Sequence, residues 1–236
     1  MRSRRRWPTG PASTADAMTW PRVVRVEDPD APTRRPYDAS GRRAAAEQRR
    51  QKVVDAAAEL FPTQGWRATT IASVAAEAGV SPELVTKTFG GKQELLMAAM
   101  RSRSFNEGLP LPQAFAAMRL DDEPDREVRL DRIVEFVLAS LEPMAPFVPV
   151  MVQGADRDPR MRAVLDAARD GHLVATQDLV RLVSTGPLDP DAIDVVYLLT
   201  RAETYLTLVP QRGWTPERYT TWLRRAIDDA VRPITG

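Results

Sequence analysis

The chain has 236 residues, no cysteine and a single histidine, His172. The absence of cysteine excludes disulfides, thiolate metal sites and cysteine nucleophiles. A zinc site would have to be built from carboxylates, which are not the ligands that zinc prefers. The sequence therefore predicts no cofactor and no metal site.

Motifs of common enzyme classes are also missing. There is no Gly-x-Ser-x-Gly elbow and no Gly-rich phosphate loop, and a hydrolase triad could be built only around His172. The sequence therefore favours a protein that is not an enzyme. A small-molecule enzyme on a helical scaffold stays an alternative, and it would need carboxylate or tyrosine chemistry in the second half of the chain.

Long apolar runs are absent too. No run approaches the roughly 20 residues that span a bilayer. The arginine-rich N-terminus is not followed by the apolar segment of a secretory signal. We expect a soluble, cytoplasmic protein with no membrane partner.

Charge is unevenly distributed along the chain, although the net charge is only +1. Residues 43–104 carry nine basic side chains against six acidic ones, whereas acidic side chains outnumber basic ones from residue 105 onward. This pattern suits a nucleic-acid-binding front half followed by a rear half that does not contact phosphate. Two ordinary solvated surfaces would give the same pattern.

The first forty residues contain six prolines and scattered arginines without apolar periodicity. Such a segment cannot bury enough apolar surface to offset the entropy of ordering, so residues 1–40 are predicted to be a disordered tail. Its arginines at 4–6 and 34–35 are candidates for basic arms that contact DNA. A solvated tail without a role is the alternative.

The segment 69–89 is predicted to form two short helices joined by a tight turn. Thr70 can cap the first helix through its hydroxyl, and Gly79 can end it at positive φ. Ser81 can cap the second helix, with Pro82 at its first position, where a missing N–H costs nothing. Because valines at 74, 80 and 85 fall on the inward side, the outer face of the second helix is predicted to contain Glu83, Thr86 and Lys87.

The flanking segments decide between a DNA-binding helix-turn-helix and an ordinary helical hairpin. A first helix is predicted from about Gly41 to Thr63, with apolar residues on one stripe. Gly90 and Gly91 end the second short helix, and Lys92 opens a fourth helix whose N-terminal amides could face a DNA phosphate.

The order and spacing of several residues between 49 and 100 resemble the DNA-binding domain of the TetR family of transcriptional regulators. The matching residues are Ala56, Ala57, Leu60, Phe61, Gly65, Thr69, Thr70, Ile71, Ala75, Gly79, Val80, Ser81, Phe89, Lys92 and Leu95. The resemblance implies a three-helix helix-turn-helix domain over residues 41–104. It also implies a ligand-responsive repressor that binds a pseudo-palindromic operator in double-stranded DNA as a homodimer.

The resemblance also implies which residues contact DNA. They are Thr70, Lys92 and the outer face of the second short helix, which comprises Ser81, Pro82, Glu83, Thr86 and Lys87. The sequence departs from the family at Thr86, where the family usually carries a tyrosine that contacts the DNA backbone. The set of DNA contacts is therefore expected to differ from that of a typical member.

The rear half, residues 105–236, is predicted to be entirely helical, which makes the whole chain all α. Asp158, Asp189 and Thr215 each precede a proline, as a capping residue does before the first helical position. The predicted helices are 112–119, 126–141, 143–152, 159–184, 190–209 and 215–232.

The resemblance implies that this rear half is a helical bundle for ligand binding and dimerisation. In the family, the last two long helices pair with their symmetry mates. The candidate dimer contacts are Leu198, Leu206, Tyr219 and Trp222.

A small apolar effector is a candidate partner, held in a cavity with adaptable thioether walls. The candidate lining residues are Met118, Phe136, Met144, Phe147, Met151, Tyr197 and Arg201, together with Phe115. The alternative is that these residues are ordinary core. Arg201 and Glu203 are either an internal polar anchor, a pair across the dimer interface or solvent-exposed. His172 is expected at the surface or at an interface, with contact to an effector as the alternative.

A sequence-tolerant DNA-packaging protein is a further alternative, since it could share the helix-turn-helix and the basic front half. A ratio of specific to non-specific DNA affinity near one would favour it.

Overall fold

The computed structural model describes residues 39–104 and 108–233, and in these ranges it contains helices and no strand. The all-α prediction is confirmed. The predicted disordered tail 1–40 lies outside the described residues except for its last two. The helices are α1 (Ala39–Ala68), α2 (Ile71–Ala78), α3 (Pro82–Phe89), α4 (Lys92–Arg103), α5 (Leu111–Ala116), α6 (Arg126–Met144), α7 (Val148–Ala155), α8 (Pro159–Val183), α9 (Ala192–Leu199), α10 (Ala202–Leu206) and α11 (Pro216–Ala230).

Helix α1 is long and bends sharply near its end. Val53, Ala57 and Phe61 recur at four-residue spacing and are buried, so one stripe of α1 packs on the core. The helix passes the predicted end at residue 63 and is interrupted at Gly65, where φ is 78° and ψ is 175°. That conformation is essentially restricted to glycine. Gly65 therefore turns the chain toward α2.

The turn between α2 and α3 forms as the sequence predicts. The Thr70 hydroxyl accepts a hydrogen bond from the Ser73 N–H at 3.0 Å, and the Ser73 hydroxyl accepts one from the Thr70 N–H at 2.8 Å. Gly79 adopts the left-handed conformation, and the Val80 N–H donates to the Ala75 carbonyl at 2.9 Å. These hydrogen bonds pair backbone groups that would otherwise lack a partner at the two ends of the eight-residue helix α2.

Helix α3 also has the predicted start and end. The Ser81 hydroxyl accepts a hydrogen bond from the Leu84 N–H at 3.3 Å, and Pro82 occupies the first helical position. Gly90, at φ 88°, ends the helix, and α4 begins at Lys92. Helix α4 ends at Arg103.

Two apolar clusters hold the chain together. The front cluster joins α1 to α4 with α7 and α8, since Phe61 and Leu95 pack in the same cluster as Phe147 and Met161. The rear cluster fills the space between α5, α6, α8, α9 and α11, with Ile133 and Leu223 fully buried. Residues Ser40–Gly236 form one compact unit. The predicted boundary at residue 104 does not coincide with a gap in the packing.

Two of the three predicted proline-initiated starts are confirmed. Asp158 caps α8, and Thr215 caps α11. The third is wrong, because the Asp189 carboxylate instead accepts a hydrogen bond from the Asp191 N–H at 2.8 Å in a turn. Helix α9 starts only at Ala192.

The predicted continuous helix 190–209 is also wrong. Arg201 is extended, with φ −72° and ψ 147°, so the helix divides into α9 and α10. The Thr204 hydroxyl donates to the Leu198 carbonyl at 2.6 Å and satisfies an acceptor that the break leaves free. Beyond α10 the backbone widens into a π-type turn over Thr207–Gln211, which contains Pro210, a residue without an N–H.

The segment Arg126–Ala155 is long and apolar enough to cross a membrane by length and composition. Glu135 and Glu142 interrupt it in the sequence, so no single apolar run is apparent there. In the structure a short 3₁₀ turn at Ala145–Phe147 breaks the segment. Core helices of soluble proteins pass the same test of length and composition.

Replacing Gly65 with Ala is expected to lower the free energy of unfolding by about 2–3 kcal/mol, because an L residue is strained at this φ and ψ. The added Cβ would also lie 3.1 Å from Gln153 Oε1. Gly79→Ala is the matched control, with a positive φ but no atom within 4 Å of the added Cβ, and should cost about 1–2 kcal/mol. Urea unfolding measures both changes. An equal loss of unfolding free energy in the two variants would contradict the expected clash between the added Cβ and Gln153.

Candidate nucleic-acid interface and internal cavity

Helix α3 presents one face to the core and the opposite face to solvent. Val85 is 0% exposed, and Phe89 is half-buried with the Arg50 guanidinium 5.4 Å from its ring centroid. Glu83, Thr86 and Lys87 are all exposed, as predicted. Ser81 and Pro82 are exposed at the start of the same helix. The surface that they form is open to solvent.

The chemistry of this surface depends on which polar groups are already bonded. The Thr86 hydroxyl donates to the Pro82 carbonyl at 3.1 Å, so Thr86 offers its methyl group to a partner. Hydrogen bonds from its own backbone N–H and from the Ser81 hydroxyl lower the pKa of Glu83. Lys87 carries an exposed ammonium on the same face. The surface therefore offers one cation, one anion and one methyl group.

Lys92 is not directed straight to solvent, although it was predicted to contact phosphate. Its ammonium lies 4.3 Å from the centroid of the Trp66 indole and donates a hydrogen bond to the Trp66 carbonyl. Burial lowers the pKa of Lys92. The side chain therefore supports the corner between α1 and α2. Thr70 lies exposed at this corner, with its hydroxyl in the capping pair with Ser73.

The same corner is bonded to the rear half. The Trp66 N–H donates to Gln153 Oε1 of α7 at 3.2 Å. Gln93 of α4 donates to the Asp158 carboxylate, which also caps α8. The position of the helix-turn-helix is therefore set by contacts with α7 and α8 as well as by its own core.

A cavity of about 560 Å³, partly open to solvent, lies between α4, α5, α6, α7, α8 and the break between α9 and α10. Of the predicted lining residues, those that line it are Phe115, Phe136, Met144, Met151, Tyr197 and Arg201. Met118 does not line it, and packs partly buried against the rear cluster. Phe147 does not line it either, because it is buried in the front cluster at 2% exposure.

Most of the other lining residues were not predicted from sequence patterns. Among them, Met97 and Met100 come from α4, for which only contact with DNA at its start was predicted. His172 also lines the cavity, which contradicts the preferred expectation of a surface or interface position and agrees with the alternative of effector contact. Its ring stacks 4.4 Å from that of Tyr197, and its Nε2 lies 2.8 Å from the Thr200 hydroxyl. The four-residue spacing of α8, which places His172 beside Thr176 and Ala168, was the available clue.

The polar end of the cavity contains a two-point ion pair. Arg201 Nε donates to Glu203 Oε2 at 3.0 Å, and Arg201 Nη2 donates to Glu203 Oε1 at 2.6 Å. The pair forms within one chain, at the edge of the cavity. Burial and then the nearby charge of Arg201 lower the pKa of His172 to about 4. The imidazole is therefore neutral at pH 7.

The candidate dimer surface is only partly as predicted. Leu198 is 57% exposed and Val195 is 43% exposed, beside a groove that includes Trp222. Leu206 is half-buried against the rear cluster. The prediction that Tyr219 contacts a partner subunit is wrong. Tyr219 is 0% exposed, and its hydroxyl donates a hydrogen bond to the Leu199 carbonyl at 3.4 Å inside one chain. It has no surface to offer a partner.

A capped two-helix turn on a three-helix core, with an exposed outer helix face, defines the class of this molecule as a helix-turn-helix protein. Residues 53–99 match the family model described as bacterial regulatory proteins, tetR family. This part of the chain is therefore similar to the DNA-binding region of the TetR family.

A curated relative in Brucella canis, the HTH-type transcriptional regulator BetI, is 32% identical over 126 residues, which cover 52% of this chain and 62% of the relative. The match thus spans less than two thirds of that protein. Two solved structures share the fold. NalD from Pseudomonas aeruginosa has a TM-score of 0.57 at 20% identity, covering 79% of this chain and 97% of its own. LfrR from Mycobacterium smegmatis has a TM-score of 0.52 at 21% identity, covering 81% and 99%.

The buried imidazole predicts a specific loss of stability in acid. The unfolded chain binds a proton at His172 below the ordinary pKa of 6.5, whereas the folded chain does so only near pH 4. Folding is therefore destabilised as the pH falls from 6.5 to 4, and between pH 7 and pH 4.5 the loss is about 2 kcal/mol. Arg201, Glu203 and Tyr197 are the titratable groups that face the ring.

The measurement compares urea unfolding at pH 7 and pH 4.5 for the parent and for His172→Gln, which cannot titrate. The parent should lose about 2 kcal/mol more than the variant. Equal losses would show that His172 is protonated normally in the folded protein.

Proposed function

We propose that this protein is a DNA-binding transcriptional regulator, most simply a repressor, that binds a pseudo-palindromic operator as a homodimer and responds to a small apolar effector. The observation that carries the proposal is the exposed face of Glu83, Thr86 and Lys87 on a helix otherwise held in the core. Two comparisons support it: the relative in Brucella canis is named as a transcriptional regulator, and NalD is described as a secondary repressor. A cytoplasmic location is part of the proposal.

In this function α3 enters the major groove of the operator. Lys87 donates to guanine O6 and N7, Glu83 accepts from the amino group of cytosine, and the Thr86 methyl group contacts a thymine methyl. Thr70, Ser81 and Pro82 lie at the start of their helices, where contacts with the DNA backbone set the register. In a two-fold dimer the two α3 helices lie about 34–36 Å apart, in successive grooves.

Lys92 contributes to DNA binding in a second way. Its ammonium donates one hydrogen bond to the Trp66 carbonyl and has two further N–H groups that can bond a backbone phosphate at the start of α4. One ammonium can therefore bond the corner and the DNA backbone together. Lys92 thus couples the corner at Trp66 to the DNA surface.

Dimerisation uses the exposed apolar side chains of α9 together with α11. Leu198 and Val195 are apolar and uncovered, while the groove beside them is closed on one side by Trp222. A second copy of the same surface, related by a two-fold axis, would bury both side chains, as in family dimers.

The effector response follows from the walls of the cavity. Met97 and Met100 place one wall on α4, and the start of α4 follows α3 directly. A ligand that binds one orientation of α4 better than the other shifts the spacing of the two α3 helices. Such a difference in affinity is what allows an effector to release DNA.

Replacing Lys87 with Met tests the DNA surface. Operator affinity should fall about tenfold or more, and discrimination against altered base pairs should weaken, because a groove contact is lost. Arg212→Met is the matched control, since it removes the same charge from an exposed residue in the rear half. The measurement is binding to a fragment selected from genomic DNA, at fixed salt concentration.

Unchanged operator affinity in the Lys87 variant would contradict the docking of α3. A parent protein that binds the selected fragment and random DNA equally well would favour the DNA-packaging alternative instead.

Replacing Leu198 with Glu tests the dimer surface. Because Leu198 is exposed in one chain, the variant should fold normally but sediment as a monomer and lose operator affinity. Val128→Glu is the control, since Val128 is an exposed valine on α6 that does not line the groove beside Leu198. A parent that already sediments as a monomer, or a variant that stays dimeric, would rule out this interface.

A further inference from the structure

The hydrogen bond between His172 and Thr200 determines which nitrogen of the imidazole carries the proton. Thr200 Oγ1 lies 2.9 Å from the Val196 carbonyl, which can only accept, so the hydroxyl proton is used there. With the hydroxyl proton donated there, the proton between Thr200 and His172 Nε2 is assigned to the imidazole. A neutral imidazole with a proton on Nε2 has a lone pair on Nδ1.

Nδ1 has no hydrogen-bond partner among residues 39–104 and 108–233. No fully buried side-chain nitrogen or oxygen in these ranges lacks a partner, so Nδ1 is reachable from open space. His172 lines the cavity with Tyr197, Thr200 and Arg201. The polar end of the cavity thus offers an unused hydrogen-bond acceptor.

The charged groups near this end are already matched. Arg201 and Glu203 neutralise each other through two hydrogen bonds. Arg169, which also lines the cavity, has an exposed side chain whose Nη1 lies 3.7 Å from Asp166 Oδ1, so solvent already stabilises its charge. A charged ligand at the polar end would have to separate Arg201 from Glu203 or remain unpaired beside apolar walls, and either is costly. The polar end therefore favours uncharged ligands.

The remaining walls are apolar and adaptable. Four of the eight methionines of the chain line the cavity, namely Met97, Met100, Met144 and Met151. The rings of Phe115 and Phe136 meet edge to face, with centroids 5.5 Å apart. A volume of about 560 Å³ is in the range of sites for drug-sized molecules.

We infer that the cavity binds an uncharged, largely apolar molecule with a hydroxyl or N–H group, and that this group donates a hydrogen bond to His172 Nδ1. The inference names the class of effector for the proposed function and rests on it for its biological role. Ligand binding to the free protein, measured without DNA, tests the inference.

The test uses four probes with the same apolar body: 4-octylphenol, its methyl ether 4-octylanisole, 4-octylbenzoate and 4-octylbenzylammonium. Calorimetric titration of the full-length protein should rank the phenol first. Its affinity should exceed that of the ether by about fivefold to tenfold, which is the usual net effect of one hydrogen bond. Both charged probes should bind more weakly than the phenol.

The single histidine of the chain gives a second readout. In protein labelled with ¹⁵N-histidine, the Nδ1 resonance should shift upfield when the phenol binds and should move little with the ether. The Nε2 resonance, whose proton bonds to Thr200, should change less than Nδ1.

Two substitutions at the same position test the acceptor. His172→Phe keeps the ring and removes the acceptor, so the ratio of phenol to ether affinity should fall to about one. His172→Asn retains an acceptor and should restore part of the ratio. Thr220→Val removes a hydroxyl of α11 that bonds to the Pro216 carbonyl, outside the cavity, and should leave both affinities unchanged. Unfolding midpoints establish that each variant is folded.

The inference is overturned if the parent binds the phenol and the ether equally, if the benzoate or the ammonium probe binds best, or if no probe binds. Each of these results is compatible with specific operator binding, so the proposed function would stand. Conversely, a parent that shows the phenol preference but binds no DNA specifically would remove the proposed function and leave the ligand site.

Discussion

The orientation of the DNA-binding helices depends on one apolar cluster shared between the front and rear halves of the chain. Phe61 and Leu95 belong to the helix-turn-helix half, while Phe147 and Met161 belong to α7 and α8 and the turn before them, yet all four pack in a single cluster. Truncating such a buried side chain typically costs about 2–5 kcal/mol. A change in packing on one side is therefore felt on the other, because close-packed interiors transmit strain.

The cavity lies where this shared packing can be altered without being lost. It takes one wall from α4 and the others from the rear bundle, and its methionines can adopt new rotamers as a ligand enters. Its polar end lies at the break between α9 and α10, and α9 carries the exposed Leu198 on another face. The cavity thus contacts both α4, which follows the DNA-facing helix α3, and the end of α9, which carries the exposed Leu198.

The helix ends in the front half could be predicted from sequence, because they depend on residues close together in the chain. The features that were predicted wrongly depend on tertiary packing. Caps at Thr70 and Ser81 and the left-handed Gly79 depend on neighbours within four residues, so sequence patterns were sufficient. The break at Arg201 depends on hydroxyl bonds and packing that no periodicity records. Tyr219 and His172 were misplaced because an apolar or amphipathic residue on a helix has the same sequence pattern whether it faces a partner, a cavity or the core.

The corner at Gly65 links two positions far apart in the chain. Its φ of 78° restricts position 65 to glycine, and the space beside it is filled by the Gln153 side chain, which also accepts the Trp66 N–H. The neighbouring Gly154 is crowded as well, since an added Cβ would lie 3.1 Å from Met161. The two glycines therefore differ in what a change would require: no substitution across the contact can relieve the backbone strain at position 65, whereas a larger residue at 154 would be accommodated if Met161 moved or became smaller.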